Sequence, residues 1–388
     1  MTQRIVERAG TLLPGEPGYD EARQALHAGL DPHPALIVQA RSAAEVRSAV
    51  LAARELGVPL AVQATGHGTH VPADGCVLLK TTEMDQVEID PRRGVATVGP
   101  GARWGQVVDA ARPYGLAPLA GSSRDVGVTG YTLGGGLGWL GRLHGFASDS
   151  VVSAEVVTAD GDLVTASRDS HPELFWALRG GGGNFGVVTR LEFRLYPVSS
   201  VWAGIVEFPA ERKADLLERY LDYARSAPDH VSTALMLTPE SAAVKVMAAG
   251  DPSSLAPLGV LDGLREMAFA EAAMGGTPAR HLALFDRLGD LDVWLAAGEQ
   301  ARVEIRHWGG ALSATGPDTG PIGHRDTTFS VIVDTALPGL PRGGTFLNFL
   351  ADTSRTSEAY TASDYARLAE VKRAYDPGQL FSVGHAIR

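Results

Sequence analysis

A histidine between two glycines, at the end of an apolar run, is the first candidate for chemistry. The run Val58 to Val62 is followed by Gln63-Ala64-Thr65-Gly66-His67-Gly68-Thr69-His70. A histidine flanked by glycines has little packing of its own, so its ring can approach a ligand closely. His67 is therefore predicted to be functional, with a structural or surface role as the alternative. His70 is the weaker candidate, and a metal site at the pair lacks a third ligand at a suitable spacing.

A second stretch, Gly121 to Gly138, carries six glycines between Gly127 and Gly138, interleaved with Val, Thr, Tyr and Leu. Glycine costs packing and backbone entropy, which a chain tolerates where φ is positive or where no Cβ fits. One interpretation is a large ligand with a phosphate-bearing part, held by backbone N–H groups. The other is a glycine-rich turn between buried strands. The run Gly180 to Gly183 exceeds what a helix cap needs, so it is a further candidate ligand contact.

Charged side chains alternate along Glu304-Ile305-Arg306-His307-Trp308. In a strand this alternation places Glu304, Arg306 and Trp308 on one face. If that face points at solvent, the pattern is an ordinary surface. If it points at a cleft, the pattern forms a wall of a substrate site, and the sequence leaves both interpretations open.

Composition limits the kinds of protein that can position these groups. A chain of 388 residues is expected to form two domains or one elaborated domain. The net charge is −11, from 34 basic and 45 acidic residues, and no basic stripe is present, which argues against nucleic acid or anionic membranes as partners. Cys76 is the single cysteine, so intrachain disulfides and cysteine metal clusters are excluded. The N-terminus lacks the apolar core of a signal peptide, so a cytoplasmic location is expected.

Hydrophobic periodicity predicts the elements that carry these residues. A strand at 35–38, a helix capped by Ser42 and ended by Gly57, and a strand at 58–62 form a parallel crossover unit. The other predicted strands are at 87–90, 94–99, 151–159, 162–167, 187–195, 201–208, 303–307 and 328–333. The other predicted helices are at 104–111, after Ser170, and at 212–224, 263–273, 278–288 and 365–375.

Taken together, these motifs resemble the FAD-linked oxidases of the berberine-bridge-enzyme-like branch, which have the vanillyl-alcohol-oxidase or PCMH-type flavin fold. The resemblance covers nearly the whole chain, and the order and spacing of the motifs make it specific. It rests on the segments Tyr19 to Arg23, Gly66-His67, Val126 to Gly138, Gly183 to Val188, Tyr375-Asp376-Pro377 and Phe381 to Ile387. A Rossmann fingerprint is absent, since no G-x-G-x-x-G follows a strand and opens a helix with an acidic residue downstream.

The resemblance implies an α+β fold, with a two-lobed PCMH-type FAD-binding domain and a substrate domain whose antiparallel sheet is backed by helices. The implied FAD-binding domain is 1–198, with subdomains at about 1–85 and 86–198. The substrate domain would be 199–335, and 336–388 would return to the FAD domain. The residues implied to bind the cofactor are Thr65, Gly66, His67, Gly68, Gly121, Ser122, Ser123, Val126, Gly127, Gly130, Tyr131, Gly135, Gly136, Gly186, Val188 and His385.

The resemblance also implies how FAD is attached. The histidine matching His67 usually carries a covalent bond to the 8α-methyl of FAD, and many relatives add a second bond through a cysteine. Ser123 matches that cysteine and cannot make the thioether, so at most one bond is expected. Gln63 and Thr65 stand where relatives commonly have arginine and an extra glycine.

The implied reaction is oxidation of an alcohol or amine carbon of a small molecule, with hydride transfer to flavin N5 and O2 as the acceptor, giving H2O2. Candidates for the base and for electrostatic support are Glu304, Arg306, His324, Asp326 and Tyr360. The alternatives are a redox-neutral cyclase, a non-catalytic flavoprotein, or a dehydrogenase that uses another acceptor. No metal is expected, and the chain is expected to be a monomer or homodimer.

Overall fold

The computed structural model describes residues 10–27, 29–272, 275, 276, 279 and 281–388. Within these residues the strands form three sheets, which follow one another broadly in chain order. The strands of the first two sheets are β1 Thr11–Leu12, β2 Leu36–Gln39, β3 Leu60–Gln63, β4 Val77–Lys80, β5 Val87–Asp90, β6 Val95–Val98, β7 Val151–Val157, β8 Leu163–Ser167 and β9 Val187–Arg194. The strands of the third are β10 Ser200–Pro209, β11 Val231–Leu237, β12 Ser241–Ala248, β13 Arg265–Ala268, β14 His281–Phe285, β15 Val303–His307 and β16 Phe329–Val333.

Helices connect and cover these sheets. The α-helices of the described residues are α1 Tyr19–Ala22, α2 Ala43–Leu56, α3 Trp104–Ala111, α4 Val128–Leu133, α5 Gly141–His144, α6 Pro172–Leu178, α7 Lys213–Ala224, α8 Leu291–Gly298 and α9 Ala362–Tyr375. As predicted, α2 begins at Ser42, whose hydroxyl accepts a hydrogen bond from the Glu45 amide, and ends at Gly57 with φ of 66°. These two residues satisfy the backbone groups that a helix leaves unpaired at its ends.

The first sheet has the strand order β1-β2-β4-β3 and carries the histidine loop at the end of β3. Strands β2 and β3 are parallel, as the crossover pattern predicts, but they are not neighbours: β4 lies between them and pairs with both. The second sheet, β5-β6-β9-β7-β8, is antiparallel throughout. The glycine stretch, α3, α4 and α5 all lie in the connection from β6 to β7.

The third sheet is antiparallel, with the order β13-β10-β12-β11-β15-β16-β14. One face packs on α7 and α8 in a core of its own. The other face is turned toward the rest of the chain, since Ala234 and Met247 share a core with Trp104, and Trp308 shares one with Phe146. The architecture is the predicted α+β arrangement with a helix-backed antiparallel sheet.

Two predicted helices in the middle of the chain are wrong. The segments 263–273 and 278–288 contain the edge strands β13 and β14, which pair with β10 and β16 respectively. The spacing of apolar residues in these segments also fits a helix over short windows. Pairing with distant strands overrides that local preference. Residues 273 and 278 themselves lie outside the described residues.

Candidate functional site

The His67 loop and the glycine stretch are in direct contact. The hydroxyl of Thr65 accepts a hydrogen bond of 3.2 Å from the Gly127 amide and lies 3.0 Å from Nδ1 of His67. Gly66 between them has a φ of 83°, and a Cβ there would lie 2.7 Å from the Gln63 side chain. Positive φ and the close approach both require glycine at this position. One hydroxyl therefore fixes the ring of His67 beside the start of α4.

The His67 ring is half-buried, and burial lowers its pKa below the ordinary value of 6.5. Its imidazole is therefore mainly neutral at neutral pH. Within the described residues, Nε2 has no hydrogen-bond partner, whereas Nδ1 is oriented by Thr65. A neutral imidazole with one nitrogen anchored and the other available is suited to bonding with an electrophilic carbon.

Two glycines of the predicted site face open space. A Cβ added at Gly68 or at Gly130 would meet nothing within 4 Å, and neither residue has a positive φ. Neither backbone conformation nor packing against the protein requires glycine there. Gly130 lies inside α4, where glycine costs about 1 kcal/mol relative to alanine. A ligand lying against both positions accounts for the glycines.

Buried hydroxyls beside Gly130 fit the same ligand. Thr129 and Thr132 in α4 are buried, and their hydroxyls have no hydrogen-bond partner within the described residues. A buried hydroxyl without a partner is costly, so a polar guest at α4 would satisfy groups that the protein leaves open. The hydroxyls, the open glycines and the His67 loop together fit the polar cofactor that the sequence predicts.

Other predicted cofactor residues are glycine for reasons of protein packing. A Cβ at Gly136 would lie 2.4 Å from the Tyr131 ring, and one at Gly135 would lie 3.0 Å from Phe346. The other predicted cofactor glycines that face protein atoms are Gly121, Gly127 and Gly186. Val188 is buried in β9. At these positions close packing within the protein is enough to explain why the residue is glycine. Contact between their backbone groups and a ligand stays a prediction.

Tyr131 packs inside the site. Its ring meets Trp104 edge-on at 5.4 Å, and burial raises the pKa of its hydroxyl above the ordinary value of 10.0. Asn348 clamps the same segment, accepting from the Gly136 amide at 2.9 Å and donating to the Tyr131 carbonyl at 3.0 Å. Asn348 comes from a segment more than 200 residues away, so nothing in the local sequence identified it.

Glu304 and Arg306 form a buried ion pair on the face of the third sheet turned toward the glycine stretch. Arg306 donates to Glu304 Oε1 from Nε at 3.1 Å and from Nη2 at 2.5 Å. The guanidinium carbon of Arg306 lies 4.9 Å from the centre of the Trp139 ring, and the indole N–H of Trp139 donates to Ser122 at 2.9 Å. Of the two interpretations of this strand, the structure supports the interior one.

Lys245 joins this pair and was missed in the sequence. It lies on β12 with its Nζ 3.6 Å from Glu304 Oε2, and its side chain is 8% exposed. Burial lowers the pKa of its ammonium below the ordinary value of 10.5, while Glu304 opposes that effect. The available signal was a single charged residue inside the apolar run Ala242 to Ala249.

Three other predicted catalytic residues lie in different surroundings. His324 has a φ of 56° and lies 2.8 Å from the Glu358 carbonyl through Nε2. Asp326 is exposed. Tyr360 is buried and donates to the Gly180 carbonyl at 3.0 Å. Within the described residues, none of the three contacts Glu304, so the structure brings together Glu304 and Arg306 but not the rest of the predicted set.

The C-terminal tail brings His385 to the histidine loop. The His385 ring meets the His70 ring edge-on at 6.1 Å, and its Nδ1 lies 2.9 Å from the Thr356 hydroxyl. The side chain of Asn184 holds the tail by donating to the His385 carbonyl and accepting from the Ile387 amide. His385 therefore lies next to the loop that carries His67. Ser123 is exposed in the segment before Gly127, and Val126 in the same segment is half-buried.

Comparison with known proteins shows which families the chain resembles. Residues 34–167 match a family described as FAD binding domain, and residues 345–388 match one described as berberine and berberine like. The chain is therefore similar to the berberine-bridge-like FAD-linked oxidases in these two segments. An FAD-dependent monooxygenase of Fusarium proliferatum is 37% identical over 55% of this chain and 42% of its own length. The (R)-6-hydroxynicotine oxidase of Paenarthrobacter nicotinovorans is 35% identical over 57% of this chain and 49% of its own.

A solved structure extends this similarity to the whole fold. The 6-hydroxy-D-nicotine oxidase of Arthrobacter nicotinovorans superposes with a TM-score of 0.85 at 26% identity, covering 97% of both chains. The predicted PCMH-type fold is thus confirmed. In sequence, the matched part of the chain spans about half the length of the curated relatives above. Among the residues that the structure describes, no helix could cross a membrane and no acid–histidine–cysteine group is arranged to hold a metal ion.

Proposed function

We propose that this protein is an oxidase that removes a hydride from an alcohol or amine carbon of a small molecule and passes the electrons to O2. The observation that supports the proposal is that the His67 loop, the glycine stretch and the strand carrying Arg306 are linked by direct contacts. Thr65 joins the His67 loop to the glycine stretch, and Arg306 packs over Trp139 at the other end of that stretch. A flavin between the His67 loop and Trp139 would face Glu304 and Arg306 on the third sheet.

The cofactor is proposed to be attached once, through His67. The neutral imidazole and its available Nε2 support this bond, and Thr65 takes the orienting role at Nδ1. Ser123 has a hydroxyl in place of the thiol that a second attachment needs. Gly68 and Gly130 provide open backbone for the flavin, and the hydroxyls of α4 provide donors.

When bound, FAD supplies the acceptor for the hydride, and the chain supplies proton transfer and orientation. We assign the proton acceptor to Glu304, because it is the one predicted base that lies on the sheet face beside Trp139 through its pair with Arg306. The substrate O–H or N–H proton would go to this carboxylate while the C–H hydride leaves as a two-electron equivalent. O2 then takes both electrons and, with two protons, becomes H2O2.

Anaerobic mixing tests the reaction class. The purified flavoprotein is mixed without O2 with a panel of alcohols and amines that includes 6-hydroxynicotine, the compound in the name of one relative. An oxidase loses its flavin absorbance with substrate and forms H2O2 when air is added. Product without loss of absorbance would instead support a redox-neutral reaction, and slow recovery in air would support a dehydrogenase.

Three further predictions accompany this proposal. The division into 1–198, 199–335 and 336–388 is consistent with the three sheets. The cytoplasmic location and a monomeric or homodimeric state stay predictions from the sequence. Gel filtration with light scattering measures the oligomeric state directly.

A further inference from the structure

Lys245 and Arg306 bring two cations to one buried position on the third sheet. They lie in one row across the strands, because Ala234 pairs with Lys245 on β12 and with Arg306 on β15. Their side chains are only 8% and 9% exposed. Within the described residues, Glu304 is the one carboxylate paired with them, so this row holds more positive than negative charge.

The donors of this row are not all used. Arg306 binds Glu304 through Nε and Nη2, which leaves Nη1 without a hydrogen-bond partner in the described parts of the chain. Lys245 Nζ is 3.6 Å from Glu304 Oε2, which exceeds hydrogen-bond distance. Glu304 is the one carboxylate that faces this ammonium within the described residues, and the contact is longer than an ordinary hydrogen bond, so the ammonium keeps N–H groups for a further acceptor. A buried charge whose donors are only partly used is costly, so an anionic group at this position would stabilise the site.

A small cavity lies near the row. Trp139, which packs under Arg306, also lines a small cavity together with Ser122 and Met247. Met247 follows Lys245 by two residues on β12 and so lies on the same face of the sheet. The two cations do not line this cavity themselves, but they lie on the sheet face that its lining residue Met247 shares and next to Trp139, which is the side on which the proposed function requires a substrate.

We propose that Lys245 and Arg306 form a carboxylate-binding subsite, so that the substrate of the oxidation carries a carboxylate group. The substrate role rests on the proposed function, whereas binding of a carboxylate does not depend on turnover. A reduced flavin ring is the other source of negative charge for the same donors. The experiment below separates these two sources.

The test compares benzoate with its neutral analogue benzamide. Both are titrated into the purified flavoprotein, followed by calorimetry and by the shift in flavin absorbance. We expect saturable benzoate binding that is clearly tighter than benzamide binding. Lys245→Met is expected to weaken benzoate by about thirty-fold or more and to leave benzamide unchanged, because it removes one of two buried charge partners. Lys245→Arg keeps the charge and is expected to retain benzoate binding.

Lys213 supplies the matched control. It is equally buried and paired with a carboxylate, Glu299, but belongs to α7 on the opposite face of the sheet. Lys213→Met is expected to leave benzoate binding unchanged. Lys245→Met is the decisive variant because it removes a buried charge and leaves the Glu304–Arg306 pair in place, so the fold should persist. Retained flavin and an unchanged melting temperature verify that it does.

Three outcomes would overturn the subsite. They are the absence of saturable benzoate binding, equal affinity for benzoate and benzamide, and unchanged benzoate affinity in Lys245→Met. If that variant instead lowers only the flavin reduction potential, the cations serve the reduced ring and the proposal is wrong. Benzoate binding without reduction of the flavin by any substrate would refute the proposed oxidation and leave the subsite standing.

Discussion

Replacing Gly130 with alanine separates a ligand-facing glycine from a structural one. Gly130 lies within α4, has no positive φ, and has open space where its Cβ would be. In the protein alone the methyl group would clash with nothing, and the better helix propensity of alanine should stabilise α4 by about 0.5–1 kcal/mol. The melting temperature of flavin-free protein should therefore rise by about 1 °C.

With FAD present, Gly130→Ala is expected to be unfavourable, because it should weaken FAD binding. A methyl group inserted into a well-packed contact costs about 1–3 kcal/mol, which corresponds to an affinity loss of roughly 5- to 150-fold. The measurement is FAD titration by fluorescence in a His67→Ala background, where the cofactor is expected to be removable. Opposite effects on the flavin-free protein and on FAD affinity are the signature of a glycine that lies against the cofactor.

Gly316 provides the control. It also has a negative φ and open space at its Cβ position, but it belongs to an exposed turn before Thr319. Gly316→Ala should leave FAD affinity unchanged. If Gly130→Ala also binds FAD as tightly as the parent, then α4 does not face the cofactor and the fit argued from the open glycines is wrong.

Three further tests address the proposed base, a buried histidine and a buried ion pair. Glu304→Gln should slow anaerobic flavin reduction by about 10²–10⁴-fold with flavin content unchanged, and an unaltered rate in stopped-flow would remove Glu304 as the base. Burial, and to a lesser extent the nearby Arg142 cation, lowers the pKa of the His307 imidazole to about 3. Below pH 6.5 the unfolded chain therefore binds a proton at this residue that the folded chain does not bind. Urea unfolding should show a stability loss of roughly 2–3 kcal/mol between pH 6.5 and 4.5, and His307→Gln should flatten that slope; equal slopes would contradict the assignment. Lys372→Met should lower the free energy of unfolding by about 3–5 kcal/mol, because it leaves Asp376 buried without its cation. The double variant Lys372→Met with Asp376→Asn should recover part of this loss in the same urea assay.

Local signals in the sequence were sufficient where each residue acts through its neighbours in the chain. The cap at Ser42 and the helix end at Gly57 depend on a few adjacent residues, and the structure has both of them. The alternation at Glu304 and Arg306 likewise identified a shared face, since their side chains are bonded to each other.

Contacts between distant segments were not accessible in the same way. Lys245 lies in the same row as Arg306 because β12 and β15 both pair with β11. Asn348 contacts the glycine stretch from a segment near the end of the chain. The strands β13 and β14 form because β10 and β16 offer edges to them, which overrides a helical spacing. His324 and Asp326 were named from residue type alone, and type does not show which way a side chain faces.

Peptide mapping by mass spectrometry of the denatured flavoprotein tests the central claim most directly. The account predicts one FAD per chain, bound to the peptide that contains His67, no flavin on the peptide that contains Ser123, and no covalent flavin in the His67→Ala variant. Flavin on any other peptide, or protein whose flavin is lost entirely on denaturation, would contradict attachment at His67.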